Sequence, residues 1–215
     1  MLSLSTWLPV IAFVIGFLWY SLQGQIVAEA IQRGQRRGFG AALLTLLGSL
    51  LGDAVWIAAG LVVLALAGQI DAVRIVLSIV GSFLFLRFAW SALQDVRTGA
   101  LPVSRLPDRG SDFATGAFVS FRNPYALGLW MGVSAALLYL VTPTPAPSQF
   151  VSYFLAVVAG ALVWCLLLAW LAGRKGRAPG AGFLRVVNGV AGIVLALSGV
   201  TVLWTTITAA GGQTG

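Results

Sequence analysis

The sequence predicts an all-α integral membrane protein: six transmembrane helices arranged as two inverted three-helix repeats, with helix breaks in spans one and four. Three observations lead there: a membrane-grade composition, six apolar stretches of bilayer length, and paired interruptions at matching places in the two halves. Of 215 residues 59% are hydrophobic and only 9% charged, with a mean hydropathy of +0.96. A soluble core of this size has no use for that balance. The net charge of +7 sits in short basic clusters between apolar runs, where it orients a membrane protein and does not bind nucleic acid.

A helix needs about 20 apolar residues to cross a bilayer, and windows of that size fall at roughly 6–32, 39–68, 72–94, 113–140, 149–172 and 183–208. Span one begins in MLSLSTWLPVIAFVIGF, which has no basic n-region and runs on into more apolar sequence, so it reads as a span and not a signal peptide. It is interrupted at SLQGQIVAEA (21–30), where Gly24 can break a helix. Span two carries Asp53 near its middle and span three carries Arg87. A mixed-charge, proline-containing connection at about 95–112 joins the halves. Span four is interrupted by SFRNPYALGL (120–129), span five holds the only cysteine, Cys165, and span six closes the chain. One cysteine excludes an intrachain disulfide and reads as a small core residue.

Basic residues sort by side. Arg33, Arg36 and Arg37, then Arg97, Arg105 and Arg109, then Arg174, Lys175, Arg177 and Arg185 fall at alternate loops, while the opposite side has only Arg74. The positive-inside rule then puts both termini outside and the basic loops in the cytoplasm. The domain is single over 1–215, with repeat one at about 6–94 and repeat two at about 113–208. Ser21 matches Ser120, and GDAVW (52–56) matches GALVW (160–164) in the same order. With three spans per half, the second copy must be upside down, the architecture of alternating access.

The symmetry breaks at charges: Asp53 faces Ala161, and Gln23 faces Arg122. A charge at mid-span costs roughly 2.5–3.5 kcal/mol on insertion scales, so such residues face the interior and mark a path, a site or a helix-tying pair. Partners weighed for Asp53 are Arg122 and Arg87. Asn123 is a good N-cap and Pro124 suits a first helical position, so a half-helix starting there would offer free N–H groups to a carboxylate. A plain proline kink is the alternative. Glu29 and Arg33, four apart, read as an ion pair of gating or structural use.

These residues resemble the lysine exporter (LysE/RhtB) family of bacterial amino-acid exporters over about residues 10–208. The resemblance rests on the break in span one followed by IQRGQRRGFGAALLTLLGSLLGDAVW, on GSFLFLRFAW (81–90) and on FATGAFVSFRNPYALGLWMG (113–132). Gly24, Arg33 to Gly38, Gly52, Asp53, Trp56, Asn123 and Pro124 match the family pattern; Gln25 stands where a proline is usual, and Arg87 where an apolar or aromatic residue is. The resemblance implies a proton-driven secondary exporter of amino acids or related small zwitterions, not an enzyme, with no cofactor or metal. Gln23, Gly24, Gln25, Asp53, Arg122, Asn123 and Pro124 then bind substrate, and Asp53 carries the coupling proton. Two other readings stay open: a metal-cation exporter, and a non-transporting membrane assembly subunit. With no histidine, one cysteine and one clearly intramembrane carboxylate, ligands for a cation are scarce. The partners expected are a small-molecule substrate and the lipid bilayer. The spacings Gly48–Gly52 and Gly128–Gly132 leave internal packing or a homodimer contact open.

Overall fold

The computed structural model describes residues 4–22, 24–68, 70–98, 110–123, 126–141, 144–174 and 179–211. Among them the chain forms helices only: α1 (Leu4–Ser21), α2 (Gly24–Arg37), α3 (Phe39–Ala67), α4 (Asp71–Thr98), α5 (Asp112–Phe121), α6 (Ala126–Val141), α7 (Pro147–Ala172) and α8 (Ala181–Gly211). Helices α3, α4, α7 and α8 are long and apolar enough to cross a membrane. Their outward faces carry large apolar side chains such as Leu66, Phe83, Leu155, Leu197 and Trp204, as a lipid solvent allows.

The first apolar stretch is not straight. α1 and α2 meet at an angle of 69° at the break between Ser21 and Gly24, and Gln23 lies outside the described residues. α2 reaches through Arg37, so Arg33, Arg36 and Arg37, read from the sequence as loop residues, belong to a helix. The reason is amphipathicity: Ile26, Val27 and Ala30 are buried on one face, with Gln32, Arg36 and Arg37 exposed on the other. The last turn of α2 is tied to the end of α7, where the Gln35 amide donates to the carbonyls of Ala172 (2.6 Å) and Arg174 (3.1 Å). The chain then turns into α3 through Gly38, whose φ of 89° favours glycine.

Helix α3 is the axis of the molecule. Its first half meets α5 and its second half meets α6, with contacts that advance in step: Gly48 against Phe113 and Ala117, Gly52 against Ser120, Gly60 against Met131, and Gly68 against Tyr139. α5 and α6 therefore lie end to end, parallel to one helix of 29 residues, about 43 Å long at 1.5 Å per residue. Where the backbones touch, a side chain has no room. A methyl on Gly48 would collide with the Phe113 carbonyl, and one on Gly116 with the Thr45 carbonyl. An equivalent contact joins α1 and α7, through Gly16 against Val157 and Gly160 against Phe13 and Phe17. Gly132 packs internally on Gly81 of α4, while a methyl on Gly128 would stand in open space. The core between these helices is aromatic as well as aliphatic: Trp19 lies edge-on to Phe88 and Trp130, at centroid distances of 4.6 and 5.5 Å.

Candidate functional site at the helix ends

Asp53 is the middle residue of α3, fourteen from Phe39 and fourteen from Ala67, and it is buried. Burying a carboxylate requires donors aimed at it. Two hydroxyls supply them: Tyr20, in the last turn of α1, donates to one oxygen at 2.7 Å, and Ser120, in the last turn of α5, donates to the other. Both helices end within two residues of their donor, at Ser21 and at Phe121. A single carboxylate thus holds the ends of α1 and α5.

The close approach has a sequence cause. Gly52 lets α5 settle against α3, since a methyl there would stand only 2.7 Å from Ser120 Cβ. The end of α5 is also held by Trp56, whose indole N–H donates to the Ser120 carbonyl at 3.3 Å. That carbonyl accepts as well from the Asn123 amide at 3.1 Å, as the helix terminates in a turn at Arg122 and Asn123. The Asn123 carbonyl in turn accepts from Ala126, the first residue of α6, at 3.2 Å. Pro124, expected at the start of a new half-helix, lies outside the described residues. Cys165 is fully buried on α7.

The other sequence candidates are placed as follows. Gly24 and Gln25 open α2 and are exposed. Asn123 is exposed between α5 and α6. Arg122 and Arg87, weighed as ion-pair partners for buried Asp53, are both exposed; the Arg122 guanidinium lies 5.4 Å from the centre of the Phe118 ring. Arg122 is the C-cap of α5, one residue past its last, and lies on the surface.

Glu29 and Arg33 form the core of a second polar cluster. Arg33 is 4% exposed and Glu29 5%, and the Arg33 Nε donates to Glu29 at 2.5 Å. The same guanidinium donates to Asp112 at 2.6 Å and to Thr115 at 3.2 Å, both on α5, and Arg37 joins from outside as a second partner of Asp112. Four charged groups and a hydroxyl therefore tie α2 to the start of α5, where Ser111 caps the helix. The sequence reading missed Tyr20, Ser120, Asp112 and Thr115 as site residues. Tyr20 and Ser120 each lie two or three residues before an interruption, a position that was itself the available signal.

A multi-pass helical membrane protein with a buried carboxylate held by the ends of two helices has the makings of a translocator. The comparisons specify which. The LysE type translocator model matches residues 21–206. The Chemotactic transduction protein ChpE of Pseudomonas aeruginosa is 33% identical over 196 residues, covering 86% of this chain and 95% of that protein. A Bacillus subtilis (strain 168) protein named "Putative amino acid efflux protein YcgF" is 22% identical over 191 residues, covering 86% of this chain and 90% of its own. No solved structure matches the chain. The chain belongs to the LysE type translocator family, and it is a transporter, not an enzyme.

Proposed function

We propose that the protein exports amino acids or related small zwitterionic metabolites from the cytoplasm, driven by the proton gradient. In this reading it lies in the bacterial cytoplasmic membrane with both termini outside. Its six spans form two inverted repeats, about 6–94 and 113–208, joined by the cytoplasmic connection at about 95–112. α1 with α2 and α5 with α6 are the two interrupted spans, and they converge on one site. The observation that carries the proposal is Asp53, buried at the middle of α3 and bonded by hydroxyls from both interrupted helices. A group so placed senses both halves of the molecule at once.

The roles follow from the chemistry. The substrate carboxylate is suited to the amide-rich start of the half-helix after Asn123 and Pro124, with Gln23, Gln25 and Arg122 near the two interruptions. Asp53 meets the ammonium group or carries the proton that exchanges for it. The Tyr20 and Ser120 hydroxyls are neutral donors, so neither becomes an unpaired charge when Asp53 takes up a proton. The Arg33 cluster closes the cytoplasmic side: it ties α2 to α5 through charges, and releasing it would part those helices. The amino-acid class draws on the efflux name of the Bacillus relative; the Pseudomonas relative's name specifies no cargo.

The test is efflux from proteoliposomes under an imposed pH gradient, run with a panel of amino acids against an Asp53→Asn variant. Gradient-driven movement of at least one amino acid, lost in Asp53→Asn, supports the proposal. Movement of none, or equal gradient-driven movement in the variant, removes it. Metal-cation movement in the same vesicles would replace it with the alternative.

A further inference from the structure

Arg87 puts a charge on a face that meets lipid. α4 packs on α8 through Ala89 and Leu93, which lie against Gly192, and through Leu86, which lies against Gly199. It packs on α6 through Gly81, whose backbone touches that of Gly132. Its remaining face carries Val76, Val80, Phe83, Arg87 and Trp90 at spacings of three and four residues, and all five are exposed. Among the described residues Arg87 has no hydrogen bond, ion pair or cation–π partner. α8 shows what this chain otherwise offers to lipid. Ile193 and Leu197 lie within about a turn of the level of Arg87, because Gly192 sits against the Ala89 carbonyl, and both are exposed and apolar.

The helix itself sets the depth. Arg87 comes thirteen residues after Arg74 and eight before Asp95, about 20 and 12 Å along the axis at 1.5 Å per residue. In a hydrocarbon core about 30 Å thick that is near the middle. Helical side chains lean toward the N-terminus, so Arg87 leans away from the nearer end of α4 and cannot rest its guanidinium among the lipid phosphates there. A bare charge so deep is costly and calls for a partner of opposite sign. The same face supplies packing, since Phe83 and Trp90 flank Arg87 one turn away on either side. An arginine between large exposed aromatics has the composition of a binding hot spot.

We propose that the outward face of α4 docks a transmembrane helix of another protein, one that carries an aspartate or glutamate at mid-bilayer. Arg87 pairs with that carboxylate, and Phe83 and Trp90 pack beside it. A second copy of this chain does not fit. Two α4 faces brought together would set Arg87 against Arg87. Among the described residues the acids are buried, as Glu29 and Asp53 are, or lie near helix ends, as Asp71, Asp95 and Asp112 do, so a copy has no carboxylate to offer at this depth. A lipid phosphate lies at the membrane surface, too far from Arg87 to cover it. The proposal does not depend on the exporter reading.

The test uses the full chain, dilute in liposomes at neutral pH, and synthetic transmembrane peptides of leucine and alanine. The peptides carry one aspartate at the centre, one aspartate near an end, or none, and each bears a dansyl group that takes up energy from the protein's tryptophans. The central-aspartate peptide should bind about tenfold more tightly than the plain one. Arg87→Leu gives α4 the kind of residue that α8 shows to lipid, so it should fold, and it should remove that preference. Arg87→Glu should transfer the preference to a peptide with a central arginine. Three results overturn the proposal: equal binding of the central-aspartate and plain peptides by the wild type, an undiminished preference in Arg87→Leu, or equally tight binding of the end-placed aspartate. Self-association of the wild type that Arg87→Leu abolishes, read by energy transfer between two labelled pools, overturns it as well, because a second copy would then cover the face.

Discussion

The molecule holds two buried polar clusters, and they are built on opposite principles. At mid-helix, Asp53 is met by the hydroxyls of Tyr20 and Ser120, which are neutral donors from two different helices. At the α2–α5 junction, Arg33 is met by Glu29 and Asp112, so charge answers charge. The difference concerns what each cluster can do without falling apart. A carboxylate held by hydroxyls accepts a proton and keeps hydrogen-bonding neighbours. An ion pair from which one member is removed leaves a buried charge uncompensated. The first arrangement suits a group that changes state in each cycle, and the second suits a tie that is either made or parted.

Substitutions distinguish the two clusters, and Cys165 offers the readout. It is the only cysteine and is fully buried, so a thiol-reactive dye reports unfolding of the purified protein. The largest effect is expected for Arg33→Met, which takes the Arg33 charge from buried Glu29, leaves Asp112 to Arg37, and should cost about 3–5 kcal/mol. Adding Glu29→Gln and Asp112→Asn to that variant should recover most of the loss, because the charges facing the missing guanidinium are then gone and Arg37, which loses Asp112, is exposed to solvent. Recovery of none of it would mean that the cluster is not held by charge.

Removing one donor from the other cluster should cost less. Tyr20→Phe or Ser120→Ala each deletes a hydrogen bond to a carboxylate, worth about 1.5–3 kcal/mol. Both should slow transport, since each frees one helix end from Asp53. A variant with wild-type transport and wild-type dye kinetics would show that its hydroxyl holds nothing. Overpacking the α3–α5 contact with Gly116→Ala should cost about 1–3 kcal/mol, because the methyl runs into the Thr45 carbonyl. Exposed Arg122, replaced by glutamine, should change stability by no more than about 0.5 kcal/mol, so any larger effect on transport would be a substrate effect.

Much of this was legible in the sequence, and the limits have physical causes. Long apolar runs announce helices because lipid leaves the backbone few alternatives. The interruptions stand out because Gly24 and the Asn123–Pro124 pair are poor helix interiors. Asp53 stands out because a lone acid in an apolar run costs free energy. Its partners do not, since a tyrosine and a serine are ordinary residues in membrane helices and only packing reveals that they converge. Asp112 was hidden for another reason: it pairs with Arg33 across 79 residues of sequence, and acid at the start of a helix has a local explanation in the helix dipole. The surface position of Arg122 follows from where α5 stops. The bend after α1 depends on how α2 lays its apolar face against its neighbours, which no local pattern encodes.

The central claim is that Asp53 couples proton movement to substrate movement. The most direct measurement is proton flux, followed with a pH-sensitive dye in proteoliposomes, when a transported amino acid is added without an imposed gradient. Wild-type vesicles should show a substrate-dependent pH change, and Asp53→Asn vesicles, with Cys165 still protected from the dye, should show none. A substrate-dependent pH change of wild-type size in a folded Asp53→Asn protein would contradict the account.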